Sequence, residues 1–267
     1  MQRKKNIQIE FQEAIEEATE RFGDHEDMNE ARVVRWLEQF PDEDLPLAIE
    51  TIRAIKYVNG LNIRTLTKQL FQMVTAELSS RGYRRAAFVA VGNVGSGSGT
   101  VARVLRDLVR ATTYKMLSML EVSQLSDGAV DAVIFIDDFS GTGHTLEGWW
   151  ENVEPIVRPI NAAVFVGLLV LNDRARERIE AFADVMAVEE LDSTADVFEP
   201  ACTKFTNAEK ATLLAHCRNT RCGSKFEKGF GQCGLLLAFK HGCPNNSLPI
   251  LWYRGNGWRP LFNRRAI

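Results

Sequence analysis

Apolar residues recur at helical spacing through the first eighty positions, then give way to short unbroken apolar runs separated by glycines. Ile7, Phe11, Ile15, Ala18 and Phe22 share one face of a helix over 7–22. A polar break at 23–28 precedes a second helix over about 29–40. Pro41 ends it, because proline disfavours helical backbone in the residue before it. Asp44 is a fitting N-cap for a third helix, with Pro46 in its first turn, running to Val58 and stopping at Asn59-Gly60. A fourth helix reads from Ile63 to Arg81, with Leu66, Leu70, Phe71, Val74 and Leu78 inward and Gly82 as its C-cap.

From residue 83 the period changes. Ala86–Val91, Thr112–Leu117, Val133–Ile136, Ala162–Leu171 and Val185–Val188 read as buried strands. Helical stretches lie between them, after Thr100, over Leu146–Val153 and over Arg174–Phe182. Strands alternating with helices predict an α/β fold, a doubly wound, mostly parallel sheet. The expected organisation is an N-terminal helical region at 1–82, an α/β core at 83–200 and a basic C-terminal hood at 201–267 that completes the same domain.

Two glycine-rich turns follow strands of this core. The first is Gly92-Asn93-Val94-Gly95-Ser96-Gly97-Ser98-Gly99-Thr100. Strand, glycine-rich loop and helix together suit a phosphate, since helix-start amides and the helix dipole face the anion. No lysine follows the glycines, and the dinucleotide spacing Gly-x-Gly-x-x-Gly is missing. The second is the stretch VIFIDDFSGTGHT at 133–145. Here Asp137 and Asp138 come at the carboxyl end of an apolar strand, and Ser140, Gly141, Thr142, Gly143, His144 and Thr145 form the turn. Carboxylates beside an anion seat suit sugar hydroxyls or a hydrated Mg²⁺. The implied ligand is a phosphorylated ribose. His144 reads either as a phosphate contact or as a solvated loop histidine.

The second stretch resembles the diphosphoribosyl-binding signature of type I phosphoribosyltransferases: an apolar strand, two acids, three variable residues, then Thr-Gly-x-Thr. Asp137, Asp138, Thr142, Gly143 and Thr145 match it position for position. The resemblance implies that Asp137 and Asp138, the expected catalytic pair, hold the ribose 2′- and 3′-hydroxyls. It implies that Ser140 to Thr145 wrap the 5′-phosphate, and that Gly95, Ser96, Gly97, Ser98, Gly99 and Thr100 hold a pyrophosphate bridged by Mg²⁺. Two departures stand out. Purine-type members often carry a base-serving acid just before the Thr-Gly pair, where this chain has Gly141. Catalytic members usually carry a long mobile loop between the two anion loops, where this chain has only Ser118–Ala129. The C-terminal segment is then the candidate cover, with Trp252, Trp258 and the Asn245-Asn246 pair able to stack on and bond a base. A loop-rich hood without that role is the alternative.

The same tail, with its Pro-Asn-Asn-Ser-Leu-Pro-Ile-Leu-Trp run at 244–252, resembles a bacterial phosphoribosyltransferase-like family found in conflict, or anti-phage, gene clusters; Trp36–Phe40 and Leu61–Ile63 add to the likeness. That resemblance implies a role in defence and a defence-system protein partner. It leaves open whether the pocket transfers a phosphoribosyl group or only senses a nucleotide for such a partner.

Composition narrows the picture in three ways. The chain is 45% hydrophobic and 25% charged, ordinary for a soluble globular protein of 267 residues. Its apolar runs are too short to span a bilayer, and no apolar signal core follows the basic start, so a cytoplasmic location without membrane contact is expected. The net charge of −3 is uneven. From His216 onward nine lysines and arginines face Glu227 alone, a net +8 that leaves −11 for the rest. Such a tail suits phosphate-bearing ligands or nucleic acid, or else pairs with the acidic N-terminal half. Five cysteines fit a reducing compartment. His216, Cys217, Cys222, Cys233, His241 and Cys243 could gather round a zinc ion, but their spacings lack a paired Cys-x-x-Cys, and free thiols are the default.

Overall fold

The computed structural model describes residues 2–92, 97–110 and 112–264. Four helices lead: α1 (Gln2–Glu10), α2 (Gln12–Arg21), α3 (Glu30–Leu37) and α4 (Leu45–Ala54). Strand β1 (Lys56–Val58) and the long helix α5 (Gly60–Ser80) follow. Then come β2 (Ala86–Ala90), α6 (Gly97–Val109), β3 (Lys115–Met116), α7 (Met119–Val122) and β4 (Ala132–Ser140). The alternation continues through α8 (His144–Val157), β5 (Ala163–Asn172), α9 (Arg176–Glu180) and β6 (Asp184–Leu191). The last elements are α10 (Asn207–Asn219), β7 (Leu237–Phe239) and α11 (Pro249–Trp252).

These elements form two compact units. One joins residues 1–60 to 193–267, and the other is the continuous stretch 61–192. The boundaries differ from the expected 82 and 200. Helix α5 groups with the sheet, and the first four helices share a core with the C-terminal segment.

The discontinuous unit is organised by aromatic residues from both ends of the chain. Trp36 is fully buried, and its indole Nε1 donates to the Ile250 carbonyl at 2.7 Å. Trp258 Nε1 donates to the same carbonyl at 3.0 Å. Phe22 meets Phe262 edge-on at 5.1 Å. β1 pairs in parallel with β7, Lys56 opposite Leu237 and Val58 opposite Phe239. The expected third helix therefore ends at Ala54, and its last residues become a strand. The expected first helix is two, broken at Phe11, whose backbone lies outside the helical region at φ −116° and ψ 25°. Helix α10 starts at a reciprocal cap in which Thr206 and Glu209 each bond the other's backbone.

The continuous unit holds a five-stranded sheet, all parallel, in the order β3-β2-β4-β5-β6. The chain moves one way from β2 and the other way from β4. Right-handed crossovers then place α6 and α8 on opposite faces, which makes the sheet doubly wound. Phe135, Val166 and Leu168 bury one face under Leu146, Val153 and Ile179 of α8 and α9. On the other face Leu70 of α5 reaches Gly167, where an added Cβ would lie 3.4 Å from it, and Phe71 packs on Phe88 at 5.8 Å. The reversal of strand order between β2 and β4 is a topological switch point, where open α/β sheets bind ligands beyond the carboxyl ends of the strands. Among the described residues no helix is long and apolar enough to cross a membrane.

Candidate functional site

Both glycine-rich turns leave the carboxyl ends of the strands that flank the switch point. The expected strand end at Ile136 is corrected: β4 runs on to Ser140 and carries Asp137 and Asp138 within it. Aspartate is depleted in strands, but β5 alongside is long enough to extend the ladder, with Asp137 opposite Leu168 and Ser140 opposite Leu171.

The acid pair is packed against the start of α6. An added Cβ on Gly97 would lie 2.1 Å from Asp138 Oδ2 and 2.2 Å from its Cγ, so only glycine lets the helix start come this close. The Ser98 amide donates to the Asp137 carboxylate. Asp137 Oδ1 also accepts from the Asp138 amide at 2.9 Å. Ser98 Oγ donates to the Val91 carbonyl at 2.5 Å, tying the end of the first strand to the helix start. The two carboxyl groups are adjacent, and each disfavours the charged form of the other. Burial, and then the neighbouring Asp138 charge, raise Asp137 well above the ordinary carboxylate range, against the two amides that pull it down.

The second turn is built for an anion. Gly143, at φ +78°, is the N-cap of α8 and offers no side-chain cap to the helix amides behind it. Thr142 is half-buried, and its hydroxyl lies 3.0 Å from His144 Nδ1. His144 and Thr145 are exposed in the first turn of α8, so that helix begins two residues earlier than expected. Arg178 of α9 braces the turn. Its Nε donates to the Thr142 carbonyl at 3.1 Å, and Nη1 pairs with Glu147 at 2.7 Å. No sequence signal marks Arg178, which lies 36 residues beyond the carbonyl it holds.

Of the expected ligand residues, Gly97, Ser98, Gly99 and Thr100 form the first turn of α6, with Asp137 and Asp138 against its start. Ser140, Gly141, Thr142, Gly143, His144 and Thr145 form the turn into α8. Gly95 and Ser96 lie outside the described residues. The short segment between the two loops holds α7, whose start is fixed by a reciprocal Ser118–Glu121 cap. Leu117, Met119 and Leu125 of that segment pack on the sheet core. In the other unit, His216 Nε2 pairs with Asp44 at 2.8 Å, and Cys217 and Cys243 are buried, with burial holding both thiols well above the usual range. Among the described residues no three potential ligands gather round a metal position.

The switch-point loops, the paired aspartates and the Thr-Gly-x-Thr turn define a phosphoribosyltransferase-like α/β protein. The chain belongs to the PRTase-CE family, whose model matches residues 33–264. No curated protein matches it. Among solved structures it is similar to hypoxanthine-guanine phosphoribosyltransferase from Schistosoma mansoni in complex with IMP, at 15% identity and a TM-score of 0.36 over 50% of this chain and 64% of that one. It is also similar to an HGPRT-ase from Leishmania tarentolae in complex with GMP, at 10% identity and a TM-score of 0.32 over 50% of this chain and 79% of that one. The chain thus spans less than two thirds of the first of these enzymes.

Proposed function

We propose that the chain binds phosphoribosyl diphosphate or a ribonucleotide, together with Mg²⁺, at the switch point of the parallel sheet. The observation that carries this reading is the acid pair held on β4 against the start of α6, on the strand that leads into the uncapped turn of α8. Asp137 and Asp138 accept hydrogen bonds from the ribose hydroxyls, and the amides and hydroxyls of Ser140 to Thr145 take the 5′-phosphate. The first turn of α6 receives the diphosphate. Binding draws Asp137 off the Ser98 amide, which frees that donor for the incoming anion. The donor set suits a hard cation: two carboxylates that repel each other, next to a ligand whose own oxygens complete the coordination. Mg²⁺ carried in with the diphosphate would neutralise charge on the leaving group.

If the group is transferred, the bond from the anomeric carbon to pyrophosphate breaks. Pyrophosphate leaves with the electron pair, and a base nitrogen forms the new bond. Positioning and charge stabilisation supply the rate enhancement. The alternative is a nucleotide sensor acting on a defence partner. Two observations favour it: Gly141 stands where a base-serving acid would be, and the short segment where catalytic members carry a mobile loop is capped and packed as α7. The anti-phage role rests on the resemblance of the C-terminal run to conflict-associated members.

Calorimetry with phosphoribosyl diphosphate and Mg²⁺ tests the pocket, and pyrophosphate release with a panel of bases separates the two readings. Saturable binding without release supports the sensor. Absence of binding removes both. Arg178→Ala is expected to weaken that binding about three- to tenfold and to lower stability by about 1 kcal/mol or less, because a half-exposed pair contributes little and the carbonyl contact mainly positions the turn. Unchanged affinity would show that the turn holds its shape without Arg178.

A further inference from the structure

The discontinuous unit contains a cleft of 470 Å³ that is lined by four arginines, Arg32, Arg35, Arg254 and Arg259, together with Asp27, Asn29 and Pro260. Its size falls in the range of small-ligand sites, roughly 300–1,000 Å³. We infer that this cleft is a second binding site, separate from the acid pair, and that it takes the phosphates of a nucleoside di- or triphosphate.

Three features carry the inference. First, the positive charge is only partly compensated, with four arginines against the Asp27 carboxylate in the lining. Among the described residues Arg35, Arg254 and Arg259 take part in no ion pair, although elsewhere the tail pairs Arg218 with Glu227 and Lys240 with Asp24. Crowding four guanidinium groups round one carboxylate is unfavourable, and an anion relieves it. Arg32 registers the crowding: burial lowers its pKa most, and Arg254 and Arg35 lower it further, against the Asp27 and Glu26 carboxylates that raise it.

Second, the arginines are held in place. Arg32 is only 7% exposed. Its Nε donates to the Leu261 carbonyl at 2.7 Å and its Nη2 to Asn263 Oδ1 at 2.8 Å. Arg254 and Arg259 flank a tight turn in which Asn256 and Gly257 both have positive φ, at 50° and 83°, and Gly255 bridges Trp258. Two positive φ values make the compact hairpin turn for which Asn-Gly is the preferred pair. Gln39 clamps the Arg259 backbone from both sides, accepting from its amide at 2.6 Å and donating to its carbonyl at 2.8 Å. The backbone is fixed while the Arg254 and Arg259 side chains are exposed.

Third, the lining suits a phosphate chain that carries a sugar. Guanidinium forks match phosphate oxygens in pairs. Asp27 offers a carboxylate acceptor for a sugar hydroxyl, while Asn29 is occupied, its Oδ1 capping α3 at the Arg32 amide and its Nδ2 donating to the Asp27 carbonyl. Asp27 stands at a left-handed φ of 60°, at the turn that leads into α3. A nucleoside di- or triphosphate would use the arginines for its phosphates and Asp27 for a hydroxyl.

The test is calorimetry on the full chain with ADP, inorganic tripolyphosphate and a ten-nucleotide single strand, in the wild type and in Asp137→Asn/Asp138→Asn, which disables the first site. The expected result is saturable binding of ADP and of tripolyphosphate in both proteins, with one-to-one stoichiometry in Asp137→Asn/Asp138→Asn, where only the cleft remains. In Arg254→Ala/Arg259→Ala it weakens by about tenfold or more at an unchanged melting temperature, and it is partly restored by Arg254→Lys/Arg259→Lys. Loss of ADP binding in the Asp137→Asn/Asp138→Asn protein would place the nucleotide at the sheet and overturn the inference. So would equal affinity in the alanine variant, or binding of the oligonucleotide without binding of ADP. If phosphoribosyl diphosphate fails to bind while ADP still does, the sheet reading fails and the cleft stands.

Discussion

Replacing Asp137 with asparagine is expected to raise the melting temperature at neutral pH while it removes ligand binding at the sheet. Burial and the adjacent Asp138 hold the Asp137 carboxyl well above its ordinary range. Its folded-state pKa therefore exceeds its unfolded value, and the folded protein binds this proton more tightly. That contribution is fully present below the unfolded value of about 3.9 and is lost as pH rises through the raised folded value. At pH 7 the folded state thus bears the cost of two carboxyls side by side. Asparagine keeps the shape and removes one of the charges. A gain of about 2–4 °C at pH 7, the size of a 1 kcal/mol change in a protein of this length, should shrink towards zero as pH approaches 4. Affinity for phosphoribosyl diphosphate should fall by about 100-fold, since charge-assisted hydrogen bonds to the sugar contribute about 1.5–3 kcal/mol each. Thermal scans across pH, paired with calorimetry, check both halves. A stability difference that is the same at pH 4 and pH 7 would show that Asp137 is not raised by its burial and its neighbour. Stability given up for a charged site is the usual mark of function.

Gly97→Ala is expected to cost the site as much by a different route. The new methyl would meet the whole Asp138 carboxyl, with Oδ2, Cγ and Oδ1 at 2.1, 2.2 and 2.3 Å. Asp138 is short and fixed on a strand, so either its carboxylate leaves the helix start or α6 shifts away from β4. Either movement separates the acids from the first turn of α6. Overpacking of this kind costs about 1–3 kcal/mol, partly offset by the preference of about 1 kcal/mol for alanine over glycine in a helix. Binding should weaken by about 100-fold with only a modest fall in melting temperature. Gly148→Ala is the control. It sits in α8 with nothing within 4 Å of its added Cβ, and should stabilise the protein by about 1 kcal/mol with binding unchanged. Equal affinities in the two variants would mean that the contact at Gly97 plays no part in the site.

Much of the sheet and its second turn is legible in the sequence because the signals are local. Apolar runs mark β2, β4 and β5, and the acids, threonines and glycines of 137–145 lie within nine residues. Gly97 is visible as part of a glycine-rich loop. Its reason for being glycine is not, because the side chain it accommodates lies 41 positions away. β1 and β7 have three residues each, too few for a period, and each exists only through the other. Helix α10 carries a readable start in Thr206 and Glu209, but its inward face is weakly patterned, with Lys210 and His216 buried beside Leu213 and Cys217. The basic tail shows in a residue count. Its meeting with Arg32 and Arg35, more than 200 positions earlier, does not.

The pairing of β1 with β7 has a consequence for synthesis. The opening helices leave the ribosome long before the strand and the aromatic residues that complete their core exist. Until the final stretch emerges, Phe22, Trp36 and Phe40 have no interior to enter, whereas residues 61–192 follow one another without interruption and can collapse on their own. Nascent chains stalled short of residue 237 would therefore present a finished sheet and a sticky, unfinished leader, a natural substrate for chaperones.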